Sequence, residues 1–336
     1  MSSDLILPVS IGSVTLENNI ICAPMAGITN FPNRSILEMY KPGLMFTEMV
    51  SINALSFKGK KTVGMLEHLE KHKVPVGIQV FGSDEEYFNK AVLFIEEKFN
   101  PAIIDINMAC PAKRVIRSNN GASMMRDEDK SAKIVECLVK KLKTPLTAKL
   151  RIGFDSDSLN IKSMAKKLEA AGIAAITVHG RTAKQMYSGQ SDPQLIFECA
   201  EELNVPVFYS GDLFSMEYCQ EILSQGKVAG LMLARGLLGS PWLIEEVIHG
   251  KHVTMSQKEI GDILLKQFDL FIQYLGEYKG FTEMKKHLGW YSKGLTSGKE
   301  FRRVVNYETS IEEQKKNIID FFYHNKLKTP VKPERK

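Results

Sequence analysis

The 336 residues are 44% hydrophobic and 25% charged, the balance of a globular chain with room for one large barrel or two smaller domains. No run of about 18 apolar residues occurs, and the first ten residues lack a basic region leading into an apolar stretch, so neither a membrane span nor a secretory signal is expected. The net charge of +5 is unevenly placed: 17 Lys and Arg stand against 11 Asp and Glu from residue 251 onward, but 27 against 28 before it.

In chain order, short runs rich in Val, Ile and Leu predict strands at residues 20–23, 44–48, 76–81, 103–107, 146–150, 175–178, 207–210 and 230–234. They show little polar alternation, as strands covered on both faces should. Amphipathic stretches separate them. A helix over 84–98 is expected to open on the Ser83-x-x-Glu86 capping pattern, with others over 129–142 and 160–171, the last stopped by Gly172. No GxGxxG follows the first strand, so an open dinucleotide-binding sheet lacks its signature. Eight strands alternating with helices over about 250 residues predict an α/β fold, the closed (β/α)8 TIM barrel. From about 256 to 322 the pattern is helical throughout, predicting a small all-helical C-terminal domain. The expected division is 1–250 for the barrel, 251–325 for the helical domain and 326–336 for a disordered basic tail.

A barrel of this kind gathers its chemistry at the C-terminal ends of its strands. The first strand runs into Ala23-Pro24-Met25-Ala26-Gly27, whose backbone suits a flat ligand. The third strand ends in Gln79-Val80-Phe81-Gly82, and the fourth runs into Asn107-Met108-Ala109-Cys110-Pro111. The fifth supplies Lys149 and Arg151, the sixth His179-Gly180-Arg181, the seventh Ser210-Gly211-Asp212 and the eighth Ala234-Arg235-Gly236. The last two strand ends are the usual phosphate site of barrels, with backbone N–H groups around Gly211 and Gly236 beside Arg235. Lys149 and His179 are expected to set positive charge near an electron-rich ring. Together these residues point to an anionic, phosphate-bearing cofactor and stop short of naming it. Five dispersed cysteines with no CxxC spacing fit a reducing compartment and give no zinc pattern.

The same segments, with Lys149-Leu150-Arg151, His179-Gly180-Arg181-Thr182, Gln185-Met186-Tyr187-Ser188-Gly189 and Gly239-Ser240-Pro241-Trp242, resemble the tRNA-dihydrouridine synthases. The likeness continues in Lys285-Lys286-His287-Leu288-Gly289-Trp290-Tyr291 and Arg302-Arg303, and covers roughly residues 15 to 305 in order. It implies a cytoplasmic, monomeric, metal-free enzyme that holds FMN over the barrel mouth and takes electrons from NADPH. Hydride then passes to C6 of a flipped uracil in tRNA, and Cys110 protonates C5. Pro24, Met25, Ala26, Gln79, Lys149, His179, Ser210, Gly211, Asp212, Ala234 and Arg235 take the flavin-contact positions. Asn107 and Arg181 are expected at the substrate, and Lys285, Lys286, Arg302 and Arg303 on the RNA.

The chemistry is coherent without the resemblance. The C5–C6 bond of uracil is conjugated to the C4 carbonyl, so hydride enters at C6 and a proton donor is needed at C5. A thiol is mostly protonated at neutral pH and serves as that acid. Cys22, Cys137, Cys199 and Cys219 fall inside strands or helices and read as packing. Trp290, Tyr291, Phe321, Phe322 and Tyr323 read first as helix core and second as base-stacking groups. Several positions depart from the family pattern: Ala109 stands where Gly is usual, Ser210 where Asn is, shortening a hydrogen-bonding arm near the phosphate, residues 118–123 are adjusted, and Met124-Met125 replaces the usual leucines. The alternatives are the same reduction on ribosomal RNA, a flavin-dependent dehydrogenase of a free pyrimidine, and an RNA-binding protein that has kept the barrel without its chemistry.

Overall fold

The computed structural model describes residues 5–327. Of the tail expected to be disordered, all but 326 and 327 lie outside them. Two compact units are present, residues up to 235 with 244–251, and 236–243 with residues from 252 onward. The sequence-based boundary at 250 is thus crossed by one exchange of short segments.

In the first unit an antiparallel hairpin of β1 (Val9–Ile11) and β2 (Val14–Leu16) precedes the barrel. Its Ile11 and Leu16 are buried in one cluster with Ile21, Leu44, Ile103, Ala175, Phe208 and Met232. Gly12 at its tip packs against Pro145 and Ala174, which precede two of the barrel strands, so the hairpin plugs the N-terminal mouth. Each such side chain contributes about 2 kcal/mol by burial. The hairpin was not expected, because three-residue strands carry no periodicity.

The barrel strands are β3 (Ile20–Cys22), β4 (Leu44–Phe46), β6 (Val76–Phe81), β7 (Ile103–Asn107), β8 (Leu146–Arg151), β9 (Ala175–His179), β10 (Val207–Ser210) and β11 (Gly230–Leu233). They pair parallel in that order, and β11 returns to β3, closing the sheet. All eight predicted strands are present. The second is shorter than expected because it breaks: β5 (Val50–Ser51) resumes pairing with β6, and residues 47–49 lie opposite only 78 and 79. This is a bulge, which bends a strand and re-aims its side chains. The helix Glu85–Phe99 starts one residue later than expected, because the side chain of Asp84, rather than that of Ser83, accepts from Tyr87 N at 2.9 Å.

The second unit has four helices, Gln257–Leu275, Glu277–Tyr291, Gly298–Tyr307 and Ile311–His324. The first opens on a full capping box between Ser256 and Glu259. Phe301 stacks on Phe321 at 4.3 Å between centroids, with Phe322 edge-on at 5.5 Å. Phe321, Phe322 and Tyr291 are therefore core. Trp242 packs on Tyr291, which accounts for the grouping of 236–243 with the helices. No helix of the described residues is long and apolar enough to cross a membrane.

Candidate active site

Register turns the strand sequences into rows of polar side chains. Gln79, Asp105 and Thr147 are neighbours across β6, β7 and β8. One step up lie Asn107, Lys149 and Thr177, and above them Arg151, His179 and Ser210 on β8, β9 and β10. All nine are buried. A barrel interior is ordinarily filled with branched apolar residues, so this polar upper half marks a site, since buried polar groups are costly unless partnered.

The lower rows form one hydrogen-bonded chain. Thr147 Oγ1 donates to Asp105 at 2.6 Å, and Gln79 Nε2 donates to its other oxygen at 2.7 Å. Asn107 Nδ2 donates to Gln79 Oε1 at 2.8 Å. Asn107 Oδ1 accepts from the backbone of Ala109 at 3.2 Å and of Cys110 at 2.9 Å. The turn carrying Cys110 is thereby hung from the side chain of Asn107. Its far side is held by Ala122 N, which donates to Cys110 O at 3.1 Å. This close approach depends on Gly121, at φ 59°, where a Cβ would lie 2.9 Å from Cys110 O. Cys110 is half-buried, while Cys22, Cys199 and Cys219 are fully buried.

Arg151 ties this turn to the next loop. It is 2% exposed and donates to Ala109 O at 2.8 Å, Thr182 O at 2.7 Å and Met186 O at 2.9 Å. Burial lowers its pKa to about 10. Burial, with Arg151 nearby, lowers that of Lys149 to about 8, and its ammonium donates no hydrogen bond among the described residues.

His179 corrects an expectation. Burial, then the charges of Lys149, Arg151, Arg181 and Arg235, hold its pKa far below the ordinary imidazole value. It is neutral, and contributes hydrogen bonding instead of positive charge. Arg181 Nη1 points to its Nε2 at 3.4 Å and can only donate, so the proton sits on Nδ1.

Arg181 also differs from expectation. It is 2% exposed and uses all its N–H groups within the protein, on Ser188 O, Gly189 O, His179 and both oxygens of Asp212 at 2.8 and 2.6 Å. None remains for a substrate, so it acts as a clamp on the loop after β9. The Asp212 carboxylate, expected at the flavin, is engaged with Arg181 and with Ser191 N at 2.9 Å. Burial would raise its pKa, but these bonds hold it below the usual range.

Gly211 sits at φ 134°, and a Cβ there would lie 2.2 Å from Ser191 Oγ and 3.1 Å from His179. Arg235 lies 4.4 Å over the ring of Tyr187, which is 53% exposed, and 5.2 Å from that of Phe214. Pro24, Met25 and Ala26 form the loop after β3, held by Thr29 Oγ1, which accepts from Met25 N at 3.0 Å. Ala234 and Arg235 are half-buried at the end of β11. The rim thus holds Lys149, Arg151, Arg181 and Arg235 near the carboxylates of Asp105 and Asp212, with Glu48 accepting from Gly27 N in the loop after β3, a cation-rich setting that suits an anionic ligand.

The helical unit treats its expected RNA contacts unequally. Lys285 donates to Asn306 O at 3.0 Å and Glu308 O at 2.8 Å, capping the helix Gly298–Tyr307. Lys286 pairs with Glu283, and Arg302 donates to Ser292 O at 3.1 Å. These three are engaged within the unit, whereas Arg303, Lys293 and Lys299 are exposed. Tyr278 and Tyr307, at 89% and 60% exposed, are the outward aromatics that sequence reasoning missed. Asp105 was missed too, and Arg151 was singled out without a role, for both roles follow from contacts across strands.

The family model described as dihydrouridine synthase matches residues 21–326. The chain belongs to the dihydrouridine synthase family. Membership makes it an oxidoreductase. It is 33% identical to a probable tRNA-dihydrouridine synthase of Rickettsia bellii over 94% of this chain and 98% of that one. It is 35% identical to tRNA-dihydrouridine synthase B of Pasteurella multocida over 93% and 95%. Among solved structures, morphinone reductase aligns at a TM-score of 0.56 and 11% identity, covering 76% of this chain and 92% of that one, a likeness of fold alone.

Proposed function

We propose that the protein is an FMN-dependent tRNA-dihydrouridine synthase, using NADPH to reduce the C5–C6 bond of a uridine. The observation that carries this reading is the Cys110 turn, held by Asn107 and Arg151 beside a buried, cation-rich, polar row. The residues present fit a flavin phosphate ester: Lys149 stands in the buried polar row and donates no hydrogen bond among the described residues, and the backbone at Gly211 leaves no room for a side chain. The names of the relatives support tRNA as the substrate.

A bound FMN would be held by Lys149, Gln79 and the Ser210–Asp212 turn and would supply the electron pair for C6, drawn from NADPH. Lys149, from β8, offers the cation and Gln79 the remaining amide N–H toward the bound ring. His179 offers its Nδ1–H as a neutral donor. Cys110 breaks its S–H bond to protonate C5 and recovers its proton from solvent, so uridine, NADPH and one proton give dihydrouridine and NADP+. Holding the acid on a turn fixed at four backbone atoms spares it reorientation during reaction. The target base must first leave its stack, costing a few kcal/mol. Phosphate contacts from the exposed Lys293, Lys299 and Arg303 hold the RNA while it does.

The test is nucleoside mass spectrometry of undermodified tRNA after incubation with the protein, FMN and NADPH. Dihydrouridine is expected in tRNA. Its absence there, with formation on ribosomal RNA or free uracil instead, overturns the substrate assignment.

A further inference from the structure

We infer that Asp105 is a positioning residue whose carboxylate, acting through Gln79 and Asn107, sets the orientation of the turn that presents Cys110. An amide side chain has two orientations of the same shape, differing only in which end donates. Gln79 and Asn107 are 1% and 6% exposed, so no bulk solvent chooses between those orientations. A carboxylate can only accept. Facing Asp105, Gln79 must therefore turn its Nε2 inward and its Oε1 toward Asn107. Asn107 must answer with Nδ2, which leaves Oδ1 for the two backbone N–H groups of Ala109 and Cys110. Thr147 donates to the second oxygen of Asp105 and so completes its acceptor role.

With the polarity reversed, Asn107 would aim an NH₂ group at two N–H groups, and both hydrogen bonds holding the turn would become repulsive contacts. The Ala109 and Cys110 N–H groups can only donate, and Asn107 Nδ2 also meets Met49 Sδ at 3.6 Å, so the relay joins obligate donors at the turn to an obligate acceptor at Asp105. The carboxylate thus acts on Cys110 without touching it.

The kinetic arm of the test rests on the reading of Cys110 as the acid, and the chemical arm does not. In the full-length protein, the rate of Cys110 alkylation by iodoacetamide is followed by peptide mass spectrometry, with half-buried Cys137 as internal reference. Asp105→Leu, which leaves Gln79 Nε2 without its acceptor, is expected to change the Cys110 rate relative to Cys137 by about tenfold, the equivalent of about 1.4 kcal/mol in turn geometry. The double variant Asp105→Asn with Asn107→Asp reverses the whole relay. The new amide at 105 donates to Gln79, Gln79 donates upward, and the new carboxylate at 107 still accepts both backbone N–H groups. It is expected to bring the Cys110 rate back to within about threefold of wild type, a residual of less than 1 kcal/mol.

An unchanged Cys110 rate in the single variant overturns the inference, as does a double variant that fails to restore it. If the single variant unfolds, all five cysteines react together, and the double variant alone decides. In the kinetic arm, Asp105→Leu should lower dihydrouridine formation per bound flavin; an unchanged rate contradicts a role through Cys110. Should wild type make no dihydrouridine, the functional reading fails while the alkylation rates still test the relay.

Discussion

Arg181 and Asp212 show what a strand-end residue does once its neighbours are known. Their bidentate pair joins a buried Arg181 side chain, 3% exposed, to an Asp212 carboxylate 23% exposed, and it fastens the loop 188–191 over the rim. Arg181→Lys keeps the charge and loses the fork, leaving carbonyls and a carboxylate oxygen unmet. It should destabilise the fold by about 3 kcal/mol, read as a lower midpoint in urea unfolding. An unchanged midpoint would mean that the loop is held some other way. Asp105 gives a pH dependence. Burial, outweighing its bonds to Thr147 and Gln79, raises its carboxyl pKa from 3.8 to about 6. A carboxyl with a folded pKa above its unfolded one binds its proton more tightly when folded. Its contribution is full below the unfolded value and is lost as pH rises through about 6. The stability of Asp105→Asn relative to wild type should therefore rise by on the order of 2 kcal/mol between pH of about 4 and about 7. A difference independent of pH would show that the carboxyl does not titrate in that range.

At the scale of elements, the strands were legible because both faces are buried, so each reads as an apolar run bounded by polar residues. All eight barrel strands lie where that pattern puts them. The breaks were not legible: the bulge at 47–49 depends on pairing with β6, and the N-terminal hairpin depends on the barrel mouth it plugs. The site divides the same way. Cys110, Lys149, Gln79 and Asn107 announce themselves as polar residues at strand ends. Asp105 does not, since within its run it looks like one interrupted apolar strand, and its meaning comes from Gln79 and Thr147, far off in sequence. Arg181 and His179 were placed correctly at the rim but given the wrong state, because charge and availability depend on the other cations and carbonyls folded around them. The loop after β10 allows a prediction of its own. Gly211→Ala forces a side chain into Ser191 at φ 134° and must displace the Arg181–Asp212 loop. The purified variant should carry less than about a tenth of the wild-type flavin absorbance, a loss of at least 1.4 kcal/mol in binding; full flavin content would remove this loop from the cofactor site.

For the molecule as a whole, the positive balance beyond residue 250 has a partial structural explanation, since Lys285, Lys286 and Arg302 are engaged within the helical unit. Lys293, Lys299 and Arg303 are among the exposed cations of the same region, on or beside the helix Gly298–Tyr307. Reversing these three to Glu should raise KM for tRNA at least about tenfold and flatten its salt dependence, while leaving flavin reduction by NADPH unchanged. An unaltered salt slope would put the RNA on another face.

The central claim is that one residue on the barrel rim supplies the proton that completes reduction of a uridine. Its most direct test compares wild type with Cys110→Ala, measuring flavin reduction by NADPH and dihydrouridine in tRNA on the same preparations. The account predicts that the variant binds FMN and accepts electrons like wild type yet forms dihydrouridine at least about 100-fold more slowly, the usual cost of removing a general acid. Dihydrouridine formed at the wild-type rate by Cys110→Ala would contradict it.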